Sequence, residues 1–82
     1  MQIKKVQLDE KERKLLRTLA RGGAMSPSRA SAETLILPGE TLNLLKALAD
    51  VGLVLLRDDP DSIDGQLVVV TAQARDFLAL ET

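Results

Sequence analysis

The side chains able to do chemistry in this sequence are few, and most of them are charged. His, Cys, Trp and Tyr are all absent. Without imidazole or thiol there is no Ser-His-Asp or Cys-His nucleophilic pair, no zinc site of the nitrogen and sulfur type, and no side chain that titrates unperturbed near neutrality. The expectation is a protein that is not an enzyme and carries no cofactor. A lone Phe77 cannot supply the stacked aromatic platform by which single strands are usually gripped. Asn43 and Lys46 remain, three apart in a leucine-rich stretch, with Leu42 beside them. On a helix that spacing puts both on one face, where an amide can pair bidentately with adenine and an ammonium can reach a guanine edge or a phosphate. Leu42 offers at best contact with a thymine methyl. Lys14, Arg17 and Arg21, with Arg13 flanking, form a second helical row, and Arg29 stands alone further on. Such a row is a solvated helix face or a phosphate-facing strip.

The carboxylates gather elsewhere. Asp58, Asp59, Asp61 and Asp64 fall in one short polar segment and invite a calcium reading. The spacing argues against it: an EF-hand loop alternates its ligands, places a glycine midway and ends on a distal glutamate, whereas Pro60 interrupts this segment and Gly65 comes late. A solvated hairpin tip that resists edge pairing is the simpler reading. The formal charge of −1 hides an asymmetry. Residues 1–21 hold seven Lys/Arg against three carboxylates, and residues 22–82 hold four against nine. A polyanion would have to be met locally, because the whole molecule offers no long-range attraction.

The elements that would carry these residues can be read from spacing and punctuation. Met1 to Gln7 reads as an extended lead-in. Asp9 and Glu12 form a capping box that opens a first helix of about a dozen residues, with Leu8, Leu15, Leu16, Leu19 and Ala20 on one side and Gly22-Gly23 as its terminator. Ala24-Met25 suits a short bridging strand. Ser26-Pro27 supplies an N-cap and a first-turn proline for a second helix, which ends in an apolar corner, Leu35-Ile36-Leu37, expected to be buried. Pro38 begins a third helix, with Glu40 near the positive end of its dipole. Thr41, Leu44, Leu45, Leu48 and Val51 recur at helical spacing, and Gly52 closes the helix. That register turns Glu40, Leu42, Asn43, Lys46 and Ala47 outward.

After Gly52 the period changes. Leu53 to Leu56 and Leu67 to Thr71 are apolar runs that suit strands, joined by a long polar turn over 57–66. The second run is apolar on both faces, so one face of a small sheet is expected to be exposed unless the lead-in or the last helix covers it. Thr71 caps a final helix with Ala74, Phe77, Leu78 and Leu80 as its apolar stripe.

Eighty-two residues, 45% of them apolar, suit one small domain with a thin core built on 16 leucines. A chain of this size buries roughly 60 to 65% of its unfolded surface, so dimerisation would add useful stability. With no cysteine, no secretory pattern and no charge-free run of about 18 residues, the expected setting is cytoplasmic, with no membrane partner and no small-molecule substrate evident.

The order helix, short strand, helix, helix, hairpin, helix is that of a winged helix-turn-helix, and residues 24–80 resemble the MarR-like regulator family. The resemblance rests on three motifs in order. They are Leu48-Ala49-Asp50-Val51-Gly52-Leu53-Val54 for the family's Leu-x-x-x-Gly-Leu-Val, Asp58-Asp59-Pro60-Asp61 at the wing tip, and Val70-Thr71-Ala72-Gln73-Ala74-Arg75-Asp76-Phe77 leading into the last helix. It implies an α+β, mainly α, fold: a single winged-helix domain over 1–82, with a lead-in at 1–7, a wing hairpin at 53–71 and a C-terminal helix at 72–81. It also implies a DNA-binding transcriptional regulator acting as a homodimer on double-stranded DNA. Asn43, Lys46 and Leu42 would then meet bases, and Arg17, Arg21 and Arg29 phosphates. The usual wing arginine and the glycine common in the helix-turn-helix corner are missing here. The acidic tip and the Leu42 face therefore support a second expectation, a winged-helix module that binds a protein partner without DNA.

Overall fold

The computed structural model describes residues 8–81, so the lead-in expected at 1–7 lies outside the described residues. Six elements follow in order: α1 (Glu10–Gly22), α2 (Pro27–Thr34), α3 (Pro38–Asp50), β1 (Val54–Asp58), β2 (Gln66–Val70) and α4 (Ala72–Glu81). This is the α+β, mainly helical arrangement expected: a three-helix core, a hairpin and a closing helix.

Helices α1 and α2 start where their capping residues indicate, whereas α3 begins at Pro38 behind Leu37 with no side-chain cap. The Asp9 carboxylate accepts from the Glu12 amide at 2.8 Å and the Glu12 carboxylate accepts from the Asp9 amide at 3.0 Å, so two orphan donors of α1 are satisfied reciprocally. Ser26 Oγ accepts from the Arg29 amide at 3.2 Å, with Pro27 in the first turn of α2. The buried faces of α1 (Leu15, Leu16, Leu19) and α3 (Thr41, Leu45, Leu48) meet Leu53, Val54 and Val68 of the hairpin in a core without a fully buried aromatic ring. Phe77 is only half-buried against it.

The end of α3 sets the direction of everything after it. Gly52 takes φ +81°, the left-handed conformation that costs a residue with a Cβ about 1 to 2 kcal/mol. The Leu53 amide returns to the Leu48 carbonyl at 2.9 Å and the Gly52 amide to the Ala49 carbonyl at 3.0 Å. That is the Schellman pair of bonds, and Leu53 and Leu48 are both buried beneath it. The chain then reverses into β1, which pairs antiparallel with β2 in the register Val54 with Val70, Leu56 with Val68 and Asp58 with Gln66. Met25 makes the expected short bridge, and its partner is Val68, with bonds of 3.2 and 2.8 Å. Thr71 locks the return: its hydroxyl donates to the Gly52 carbonyl at 2.8 Å and accepts from the Ala74 amide at 3.1 Å. One side chain thus caps α4 and holds the α3 turn.

The α2–α3 corner is built differently from the buried apolar turn expected. Only Ile36 is buried, while Leu35 and Leu37 are 87% and 73% exposed. The corner is made by hydroxyls instead. Ser31 Oγ donates to the Ile36 carbonyl at 2.5 Å, Thr41 Oγ1 donates to the same oxygen at 3.2 Å, and the Ile36 amide donates to Thr34 Oγ1 at 3.4 Å. All three hydroxyl residues are buried. With the backbone turn held by polar contacts, the flanking leucines are free to point outward. Leu35 occupies the left-handed C-cap position at φ 61°, the place where glycine is usual.

Smaller differences concern the edges of the elements. Val51 is the C-cap of α3 and is exposed, so it does not extend the buried stripe, and Leu80 is 86% exposed, so the stripe of α4 stops at Leu78. The strands reach further than expected, with Arg57, Asp58 and Gln66 in the ladder, because antiparallel pairing tolerates polar residues at an exposed end. On the outer sheet face Leu55 is exposed while Leu67 and Val69 are half-buried.

Two stability predictions follow from these turns. Leu35→Gly relieves the left-handed strain at an exposed position and should raise stability by about 0.5 to 1 kcal/mol, net of glycine's larger unfolded-state entropy, as read by urea denaturation. Thr71→Val keeps the shape but leaves the Gly52 carbonyl without its hydroxyl donor, and should cost about 1 to 2 kcal/mol in the same assay.

Candidate nucleic-acid interface

The buried line Thr41, Leu45 and Leu48 fixes which way α3 faces. At about 100° per residue, Asn43, Lys46 and Asp50 fall opposite that line, and all three are exposed together with Ala47. Among the described residues neither the Asn43 amide nor the Lys46 ammonium makes a side-chain hydrogen bond or ion pair. Their hydrogen-bonding capacity is unspent, as a reader of base edges requires.

Leu42 turns sideways and is half-buried. It lines a groove with Pro27 and Ser28 of α2, Pro38 and Gly39 of α3, and Asp64 and Gln66 of the hairpin. The groove therefore joins three separate parts of the chain. Gly39 leaves its α3 wall bare, since an added Cβ there would meet nothing within 4 Å. Across the groove the Asp64 carboxylate is held by Ser28, whose amide donates to one oxygen at 2.7 Å and whose hydroxyl donates to the other at 2.6 Å. At the hairpin tip the Asp59 carboxylate accepts from the Asp61 amide at 3.0 Å, and the Asp59 amide donates to the Gly65 carbonyl at 2.9 Å. Two of the four acidic side chains are thus engaged in holding the hairpin, while Asp58 and Asp61 are exposed.

Arg17 and Arg21 border grooves along α1, one with Glu10, Arg13 and Lys14 and another with Ala20 and Leu78 of α4. Arg21 also lies beside Thr18, Gly22 and Glu33. None of these grooves shares a residue with the one beside Leu42. Arg29, exposed on α2, donates through Nε to Glu33 at 3.1 Å. Glu40 was expected to face outward with Asn43; instead it accepts from Lys11 Nζ of α1 at 2.7 Å. The reason is rotational: Glu40 lies on the flank of α3 next to α1, about a quarter turn from the outward line.

Ser28 in α2 and Asp64 in the hairpin follow from local sequence, but their contact does not. They are 36 residues apart, and no periodicity links them. The available signals were a serine at the second position of a helix opened by Ser26-Pro27 and the turn dipeptide Asp64-Gly65.

No protein-family model matches this sequence, and no curated protein matches it either. Solved structures do match the fold. A cysteine-substituted variant of MarR from E. coli, complexed with operator DNA, superposes with a TM-score of 0.83 at 18% identity, covering 90% of this chain and 53% of that one. BpsR from Bordetella bronchiseptica, in a structure addressing regulation of its DNA binding by 6-hydroxynicotinic acid, gives 0.83 at 22%, covering 90% and 53%. A MarR family transcriptional regulator from Silicibacter pomeroyi gives 0.78 at 20%, covering 87% and 47%. The arrangement is therefore the winged helix-turn-helix found in MarR-family structures, and the chain spans about half the length of the structures it matches.

The Lys11–Glu40 pair has a pH signature. The Glu40 carboxylate, by its hydrogen bond and then by its charge, with a smaller contribution from Asp9, holds the Lys11 ammonium above its ordinary 10.5. A group raised on folding contributes stability that is present below its unfolded value and is lost as pH rises through the folded one. Wild type should therefore exceed Lys11→Met in stability at neutral pH by a small margin that fades above pH 10.5. Denaturation curves at both ends of that range check it, and a margin undiminished in strong alkali would refute the assignment.

Proposed function

We propose that this chain binds double-stranded DNA as a transcriptional regulator, with the outward face of α3 in the major groove. Asn43 and Lys46 read base edges, Leu42 meets a thymine methyl, and Arg29, Arg17 and Arg21 contact phosphates. The observation that carries the reading is the pair of unspent polar side chains opposite the buried stripe of α3, in a fold shared with a protein solved on its operator. A good bidentate contact contributes about 1 to 3 kcal/mol of discrimination between bases. With a net charge of −1, attraction to DNA is local and so acts only at short range. Two copies on a two-fold operator would double both contributions, and a homodimer is the expected working form. Such a regulator would act in the cytoplasm and would need neither a cofactor nor a catalytic centre. Among the described residues no helix is long and apolar enough to cross a membrane.

A second reading has its own support. Leu35 and Leu37 are exposed at the α2–α3 corner and Ile63 at the hairpin tip, beside exposed carboxylates, which favours a protein-binding winged helix. Salt dependence separates the two. Fluorescence anisotropy on a labelled duplex should show affinity falling with ionic strength, and Arg21→Ala, which removes a proposed phosphate contact, should reduce the slope by about one counterion. On a selected site Asn43→Ala should lose about 1 to 3 kcal/mol of discrimination at one base pair. Absence of duplex binding at low salt, or a flat slope, would favour the protein-binding module.

A further inference from the structure

The first turn of α2 has almost nothing left to offer an incoming anion. Pro27 has no amide hydrogen, the Arg29 amide donates to Ser26 Oγ and the Ala30 amide donates to the Ser26 carbonyl. Only the Ser28 amide remains, and Asp64 takes it, together with the Ser28 hydroxyl. Both carboxylate oxygens are used, so the contact fixes the hairpin tip to α2 across the groove beside Leu42.

We propose that this contact is an autoinhibitory latch. The Asp64 carboxylate holds the wing tip against α2 and keeps a negative charge at the edge of the DNA-facing groove, until a backbone phosphate of the duplex displaces it. The proposal rests on the DNA-binding reading and deepens it, because it explains how an acidic wing coexists with a nucleic-acid face. Displacement is cheap by construction: both residues are exposed, and a bond made at the surface exchanges readily for one to water or phosphate. The tip also keeps its shape without the latch. The Asp59 amide to Gly65, the Ser62 amide to Asp59, the Gly65 amide to Ser62 and the Asp61 amide to the Asp59 carboxylate involve no atom of the Asp64 side chain. Releasing Asp64 therefore frees the tip as a folded turn, while the strands stay anchored through Met25, Val54 and Val68.

The test compares wild type with Asp64→Ala and Asp61→Ala on one labelled duplex at one low ionic strength. Asp61 is exposed on the same tip and its side chain makes no hydrogen bond or ion pair to the described residues, so its replacement removes the same charge without touching the latch. The latch predicts affinity about fivefold tighter for Asp64→Ala and a distinctly smaller gain for Asp61→Ala. In amide correlation spectra the Ser28 resonance should move far more in the first variant than in the second. Thermal melting of both variants verifies that each is folded. Equal gains in the two variants, or weaker binding by Asp64→Ala, would overturn the latch while leaving the DNA reading intact. Failure of all three proteins to bind would overturn both.

Discussion

The reversal at Gly52 is the constraint on which the rest of the domain depends. A helix followed at once by a strand packed beneath it requires positive φ at the junction, and it requires acceptors at the helix end to be satisfied. Gly52 meets the first need at φ +81°, and the amides of Gly52 and Leu53 meet the second. Thr71 then couples the junction to the far end of the hairpin through the Gly52 carbonyl, and its amide donates to the Leu53 carbonyl at 3.2 Å. The rotational setting of α3, and therefore the direction in which Asn43 and Lys46 point, is held by this clasp from one side and by the leucines of the core from the other.

The second organising device is polar. A core of leucine, valine and alanine has few directional contacts, and such cores specify position less sharply than interlocking shapes do. In this domain the missing direction comes from hydroxyls at the α2–α3 corner. Ser31, Thr34 and Thr41 converge on the peptide groups of Ile36, where each buried polar group has a partner and none is left to oppose folding. This arrangement fixes the angle between the two helices with a leucine in the left-handed position where glycine is more usual.

Electrostatically, the surface divides into charges with a partner inside the domain and charges without one. Lys11 and Glu40, Arg29 and Glu33, and Asp64 with Ser28 are engaged within the domain. Exposed ion pairs of this kind contribute little to stability, so their main consequence is to decide which side chains face a partner unencumbered. On α3 those are Asn43, Lys46 and Asp50. The concentration of acids at the wing thus has two distinct parts: Asp59 and Asp64 organise the hairpin, whereas Asp58 and Asp61 remain as an exposed negative rim.

Much of the fold could be read from local chemistry. The Asp9–Glu12 capping box, the Ser26-Pro27 helix start, the reversal at Gly52, the Met25 bridge and the Thr71 cap are each written within a few residues or in a change of hydrophobic period, and each is found where the residues indicate. The outward position of Asn43 and Lys46 was legible for the same reason, since a helix with one apolar stripe must turn its other side outward. Local chemistry could not reach contacts made across the chain. The burial of Ile36 without Leu35 or Leu37, the diversion of Glu40 to Lys11, the separation of Arg17 and Arg21 from the Leu42 groove, and the hold of Ser28 on Asp64 join residues whose proximity no spacing encodes. By itself the sequence determined which elements form and which faces are apolar, because both follow from neighbours along the backbone. Only the tertiary structure decided which polar groups are spent on one another, because that depends on the rotation and approach of elements brought together by packing.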